Sequence, residues 1–191
     1  PTLGLVGEVG SLLSELKKKQ RDSAAYVSYE GAVVEELGDA LWYLAIIAEH
    51  AGIDLINVVS TSAVDGEICF VSLQPQHALP LNSPTVQFEK TLLRLAGATG
   101  VLSACVVDGI LLHGDTLLSH LRGIFQLLLE AANEAGVTLE AAARANLLKA
   151  EDRWPSERIH PPLFDVDFDP GEQLPRKLFV EIYERQASNE K

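Results

Sequence analysis

The chain has 191 residues, 47% of them apolar and only 6% aromatic, with a net charge of −12. That length suits one large domain or two small repeats, and a Leu-, Ala- and Val-dominated apolar set reads as helical with a true core. The acidic balance argues against nonspecific binding to nucleic acid or an anionic membrane, so a phosphate-bearing substrate needs a metal or a local basic patch to approach.

Residues 3–19 are predicted to form an amphipathic helix, with apolar positions at Leu5, Val9, Leu12, Leu13 and Leu16. Lys17 to Lys19 suit its C-terminal end, where the helix dipole favours cations. Glu8 and Glu15 lie seven apart on one face of it. Asp22 and Ser23 mark a turn. A second helix is predicted over residues 30–51, ended by Gly52. It carries Glu35, Glu36 and Asp39, the last two three apart on one face. Like charges stacked this way repel, and the usual reason to keep them is a hard cation: carboxylate oxygens suit Mg²⁺ or Mn²⁺. Asp54 reads as the N-cap of a short third helix reaching about Ala63. Pro75, Pro80 and Pro84 make residues 64–84 a linker, with an extended piece expected at Ile68 to Leu73.

Helical pattern resumes near Thr85, and with it a repeat. Leu95-Ala-Gly-Ala-Thr-Gly-Val-Leu102 echoes Leu5-Val-Gly-Glu-Val-Gly-Ser-Leu12, and Glu134-Ala-Gly-Val-Thr-Leu139 echoes His50-Ala-Gly-Ile-Asp-Leu55. The shared Gly-x-x-Gly spacing is expected to let helices approach closely. Under this alignment Glu8 becomes Ala98, Glu15 becomes Cys105, Glu36 becomes His120 and Asp39 becomes Gly123. The second copy keeps the apolar pattern and loses every acid. It ends instead on Asn146, Lys149 and Arg153, at i, i+3 and i+7. The expected organisation is a first repeat over 1–63, a linker over 64–84, a degenerate repeat over 85–155, and an arm with a strand over 156–191. The strand falls at Lys177 to Glu184 and needs a partner, which makes a homo-oligomer or a further domain a candidate. The fold class is therefore all-α, a tandem-repeat helical bundle packed as a pseudo-dimer, apart from that strand.

Cys69 and Cys105 have no spacing motif and suit a reducing cytoplasm. No stretch reads as a signal peptide, and no uninterrupted apolar run reaches membrane-spanning length. Pro1 already sits inside an apolar pattern, so a native N-terminus is expected upstream. Methionine is absent altogether, an anomaly that gives the short motifs more weight than separations across loops.

Three segments carry a resemblance: Gly4-Leu-Val-Gly-Glu-Val-Gly10, Glu36-Leu-Gly-Asp-Ala-Leu-Trp-Tyr-Leu44, and Asn146-x-x-Lys149 running into Arg153-Trp-Pro155. Together they resemble the all-α nucleoside triphosphate pyrophosphohydrolases, the MazG-like proteins with phosphoribosyl-ATP pyrophosphohydrolase and the dimeric dUTPases as relatives. The resemblance covers residues 3–60 well, 88–155 weakly and 156–191 not at all. It implies Mg²⁺ held by a Glu-x-x-Glu pair on one helix and a Glu-x-x-Asp pair on the next. Glu8, Glu36 and Asp39 match; Ser11 stands where the fourth acid is expected, and Glu15, one turn further on the same face, is the candidate substitute.

The implied reaction is hydrolysis of a nucleoside triphosphate between its α- and β-phosphates, giving a nucleoside monophosphate and pyrophosphate. Glu15 or Glu35 is the candidate base that orients the water. Lys18, Asn146, Lys149 and Arg153 are the candidate phosphate contacts, and Trp42 is either core or a platform for the base. Glu15 with Lys18 equally reads as a solvated helix pair. A di-iron carboxylate bundle is excluded, because its only Glu-x-x-His spacing, Glu157 to His160, lies between Pro155 and Pro161. A catalytically decayed regulatory or scaffold module is the rival, favoured by Ser11 and the acid-free second copy.

Overall fold

A computed structural model describes residues 1–59, 86–108 and 114–153. Their regular structure is helical throughout: α1 (Thr2–Asp22), a 3₁₀ turn (Ser23–Ala25), α2 (Tyr29–His50), α3 (Leu55–Val59), α4 (Val86–Val107), α5 (Asp115–Ala135) and α6 (Leu139–Arg153). The first helix runs three residues beyond the predicted end, because Gln20 to Asp22 offer no breaker. The chain turns only at Ser23, whose φ is 49°. The linker over 64–84, the end expected for α3 at Ala63, the arm and the strand at Lys177 to Glu184 lie outside the described residues.

The apolar periodicity explains which face each helix buries. Leu5, Val9, Leu12 and Leu16 line one stripe of α1, and Val33, Leu37, Ala40, Leu41 and Leu44 line the matching stripe of α2. The α1 stripe packs on α2 and also on α4. Helix α4 packs on α5 as well as α1 and buries Phe88, Leu92, Leu95 and Leu102, while α2 meets both α5 and α6, and α3 meets α5. Leu5, Leu37, Leu44, Leu95, Leu121, Phe125 and Leu128 are fully inaccessible and belong to one core that spans both predicted repeats. Helix α4 is long and apolar enough to cross a membrane, with a mean hydropathy of 1.4 over its most apolar stretch. Here one side of it is packed against α1 and α5.

Helices α2 and α5 end alike. Gly52 and Gly136 take φ of +66° and 69°, the left-handed conformation that costs glycine little. Behind them Ile53 donates its backbone N–H to the carbonyl of Ala48 and Val137 donates to Ala132, each at 2.9 Å. This is the six-to-one bond of a Schellman C-cap. Thr138 then caps α6, its hydroxyl accepting from the Ala141 N–H at 3.0 Å.

The glycine reading needs correction. Nothing lies within 4 Å of where a Cβ would sit on Gly7, Gly10, Gly97 or Gly100, so their spacing marks no helix contact. The close approaches are elsewhere. A Cβ on Gly4 would meet the Tyr43 ring at 2.3 Å, and one on Gly38 would meet the Ala142 carbonyl oxygen at 2.4 Å. Gly38 therefore lets α2 and α6 cross nearly backbone to backbone, and that crossing sets the site.

Candidate metal and phosphate site

Glu8 lies on α1 between the buried Leu5 and Leu12, at the border of the stripe that faces α2. Glu36 and Asp39 hold the corresponding border of α2, flanking the buried Leu37 and Gly38. All three are half-buried, and each brings a carboxylate oxygen within 4.8 Å of the others. The three predicted ligands thus converge. Such a group is suited by chemistry to a hard divalent cation, which takes carboxylate oxygen and relieves the repulsion among them.

The electrostatic strain shows in Glu36. Burial comes first, then a hydrogen bond shared with Glu8 and the charges of Glu8, Asp39 and Glu35, and together they push its carboxyl up to about 7. The raised pKa favours a protonated Glu36 that donates to Glu8.

Helix α6 supplies the opposite chemistry. Because α2 and α6 touch at Gly38, the next residue, Asp39, faces α6 directly. Asn146 is 8% exposed and donates from Nδ2 to Asp39 Oδ1 at 2.6 Å. Lys149 Nζ donates to the same oxygen at 2.6 Å, to Asp39 Oδ2, and to Glu35 Oε1 at 3.1 Å. Burial works to lower the Lys149 pKa, but the bonds to Asp39 and Glu35 outweigh it and raise it, so Lys149 stays charged. Beside this contact, Gly31, Val34, Glu35, Ala145, Asn146 and Lys149 line an open cleft of about 440 Å³ between α2 and α6.

Glu15 is not one of the converging acids. It is buried, accepts from Lys18 Nζ at 2.5 Å on Oε1, and accepts from the Tyr26 hydroxyl on Oε2. Burial pushes its pKa up, yet those two hydrogen bonds more than offset this and hold it below the usual carboxylate value. Its oxygens are taken by Lys18 and Tyr26, and it lies outside the group of converging carboxylates. The pair is not a solvated one: Lys18 is 45% exposed but Glu15 only 9% by side chain. Lys18 lies within electrostatic reach of Glu36, which helps to keep it protonated after the larger effect of Glu15.

Glu35 is exposed over 55% of its side chain and serves as the second acceptor for Lys149, outside the trio. Trp42 is 41% exposed, so it is not core, contrary to one of its two readings. Arg153 is exposed at the end of α6 and makes no ion pair among the described residues.

Sequence reasoning missed Tyr26 and Gly38. Tyr26 sits in the turn between α1 and α2, where no periodicity points to Glu15. Gly38 stood inside the quoted Glu-Leu-Gly-Asp segment, but its partner, Ala142, is 104 residues away. Lys19 is also buried, donating to the Tyr26 carbonyl at 3.3 Å with its ammonium 5.6 Å from the Tyr29 ring centroid. Spacing alone made it one of three interchangeable lysines.

No family model matches the chain, and no solved structure does. Gene 37 protein of Mycobacterium phage L5 is similar to it, 37% identical over 59 residues, which are 30% of this chain. The matched stretch spans about half of that relative, 52% of its length.

Proposed function

We propose that the chain is a Mg²⁺-dependent nucleoside triphosphate pyrophosphohydrolase of the MazG-like kind, built as a tandem pseudo-dimer with one composite site. The observation that carries this reading is the meeting of the Glu8, Glu36 and Asp39 carboxylates with Asn146 and Lys149 across the α2–α6 crossing. Glu8, Glu36 and Asp39 are the residues that would hold the ion. Mg²⁺ bound there would neutralise phosphate oxygens and polarise the phosphorus toward attack by water. Lys149 and Asn146 reach the same carboxylate from the second repeat and offer donors to the phosphate chain. Lys18, held by Glu15, presents a second ammonium within electrostatic reach of Glu36. The cleft beside Lys149 is the room proposed for the nucleoside end; Trp42, exposed on α2 but outside that lining, is the alternative surface for the base.

The pseudo-dimer is supported by how contacts pair. Exchanging α1, α2 and α3 for α4, α5 and α6 turns α1–α2 into α4–α5 and α2–α6 into α5–α3, while α1–α4 and α2–α5 map onto themselves. Buried positions follow the same exchange: Leu5, Val9 and Leu12 match Leu95, Thr99 and Leu102, and Leu37, Leu41, Leu44 and Ala48 match Leu121, Phe125, Leu128 and Ala132. Contacts paired in this way around one core support the reading of a fused dimer. Its second site position has Ala98, His120 and Gly123 in place of the acids, so one nucleotide per chain is expected. A cytoplasmic nucleotide pool is the setting that suits this activity and the free thiol of Cys105.

The rival is a regulatory module that has lost catalysis, favoured by Ser11 at the fourth acid position. The two separate on one assay. A panel of nucleoside triphosphates is incubated with Mg²⁺, and pyrophosphate is measured with and without excess chelator. Release that stops with chelator supports the enzyme; no release from any triphosphate, or release indifferent to chelator, rejects it.

A further inference from the structure

Asp39 is covered in this structure. Its Oδ1 accepts from both Asn146 and Lys149, and its Oδ2 accepts from Lys149 as well. A carboxylate oxygen has two in-plane lone pairs, so Oδ1 is filled and Oδ2 keeps one. An incoming dication therefore meets an ammonium seated on one of its own ligands. Two like charges in contact on one carboxylate are strongly unfavourable.

The two α6 donors differ in what they can do about this. Asn146 is neutral and buried, and its single bond leaves lone pairs for a metal. Lys149 is charged, 23% exposed by side chain, and borders the cleft between α2 and α6. Its four-carbon stem has rotamers to spare, and Glu35 already offers a second acceptor at 3.1 Å.

We infer that Lys149 is an exchangeable counter-cation: it neutralises Asp39 while the site lacks metal, and it transfers to the substrate's phosphates when the metal takes Asp39. This rests on the metal and nucleotide reading above and adds a rule of regulation to it. Metal alone binds more weakly than three convergent carboxylates would allow. A phosphate chain draws Lys149 off and so tightens metal binding, and by reciprocity metal tightens nucleotide binding. Metal and phosphate sites are thus not independent, although one lies in the first repeat and the other in the second.

The test is direct binding of Mn²⁺, followed by electron paramagnetic resonance, with no nucleotide present. Wild type is compared with Lys149→Met, which keeps the length of the side chain and removes the ammonium. Lys149→Gln serves the same comparison should the methionine chain fail a thermal melt. We expect Mn²⁺ to bind the Lys149 variant about tenfold tighter, since a charge-assisted hydrogen bond no longer has to be broken. Arg144→Met removes an equal charge from the same helix, where Arg144 pairs with Glu140, without uncovering Asp39, and should change the affinity less than about twofold, the effect of a screened charge. With a nonhydrolysable nucleoside triphosphate added, the gain in Mn²⁺ affinity should be smaller in Lys149→Met than in wild type, by that same tenfold. Equal Mn²⁺ affinity in wild type and Lys149→Met overturns the exchange alone, as does equal tightening by Arg144→Met. Absence of Mn²⁺ binding in every chain overturns both the exchange and the metal reading beneath it.

Discussion

Glu36→Gln should stabilise the metal-free protein at neutral pH and above, and do nothing at low pH. In the fold the Glu36 carboxyl is pushed up to about 7, from an ordinary value of 4.5. The folded state thus holds a proton that the unfolded state has lost between those two values. Stability contributed by the protonated form is fully present below about pH 4.5 and is lost as pH rises through 7. A shift of this size corresponds to about 3 kcal/mol at 1.36 kcal/mol per unit. The side chain is half-buried and solvent screens it, so about 1–2 kcal/mol is the expected loss. Glutamine keeps the donor that Glu36 gives Glu8 and cannot ionise, so it should escape the loss. For a protein of this size the gain is about 2–8 °C in melting temperature. The assay is a thermal melt in chelator, followed by circular dichroism, from pH 4 to 8.5 for both chains. The two curves should coincide at the acid end and separate through the window 4.5 to 7, with the variant higher. Parallel curves, or a variant less stable at pH 8, would show that the three acids do not repel one another in solution.

Further outcomes follow from the same contacts. Gly38→Ala should destabilise by about 1–3 kcal/mol in denaturant unfolding, because its Cβ must push the Ala142 carbonyl and move α6 away from Asp39. Gly10→Ala meets open space and should instead stabilise by up to about 1 kcal/mol through helix propensity; the opposite ranking would refute the placement of the α2–α6 crossing. Asp39→Asn should abolish Mg²⁺-dependent pyrophosphate release and also cost about 1–3 kcal/mol of stability, since Lys149 loses its main partner; unchanged turnover would remove Asp39 from the ligand set. Lys149→Ala should lower kcat/KM about 10- to 100-fold, the loss of about 1.5–3 kcal/mol of charge-assisted phosphate contact, and steady-state kinetics identical to wild type would count against the composite site.

The helices and the three convergent acids were legible in the sequence. Periodicity places Leu5, Val9 and Leu12 on one face, and that fixes Glu8 at its border; the same holds for Glu36 and Asp39 beside Leu37. Two helices that bury such stripes against each other must bring their border acids together. The helix end at Gly52 was readable too, because a left-handed C-cap has a local signature. What the sequence left open depended on partners far along the chain. Glu15 looked like a fourth acid until the turn at Ser23 brought the Tyr26 hydroxyl onto it. The paired glycines looked like contact points, yet open space surrounds them, and the true crossing at Gly38 is set by Ala142 on another helix. Nothing in the spacing of Asp39 indicates its partners, and only the packing of α6 on α2 puts Lys149 and Asn146 on its oxygens. Periodicity reports which face of a helix leaves water, but which helix covers that face is decided by the whole core, and the chemistry of a shared carboxylate follows from that choice.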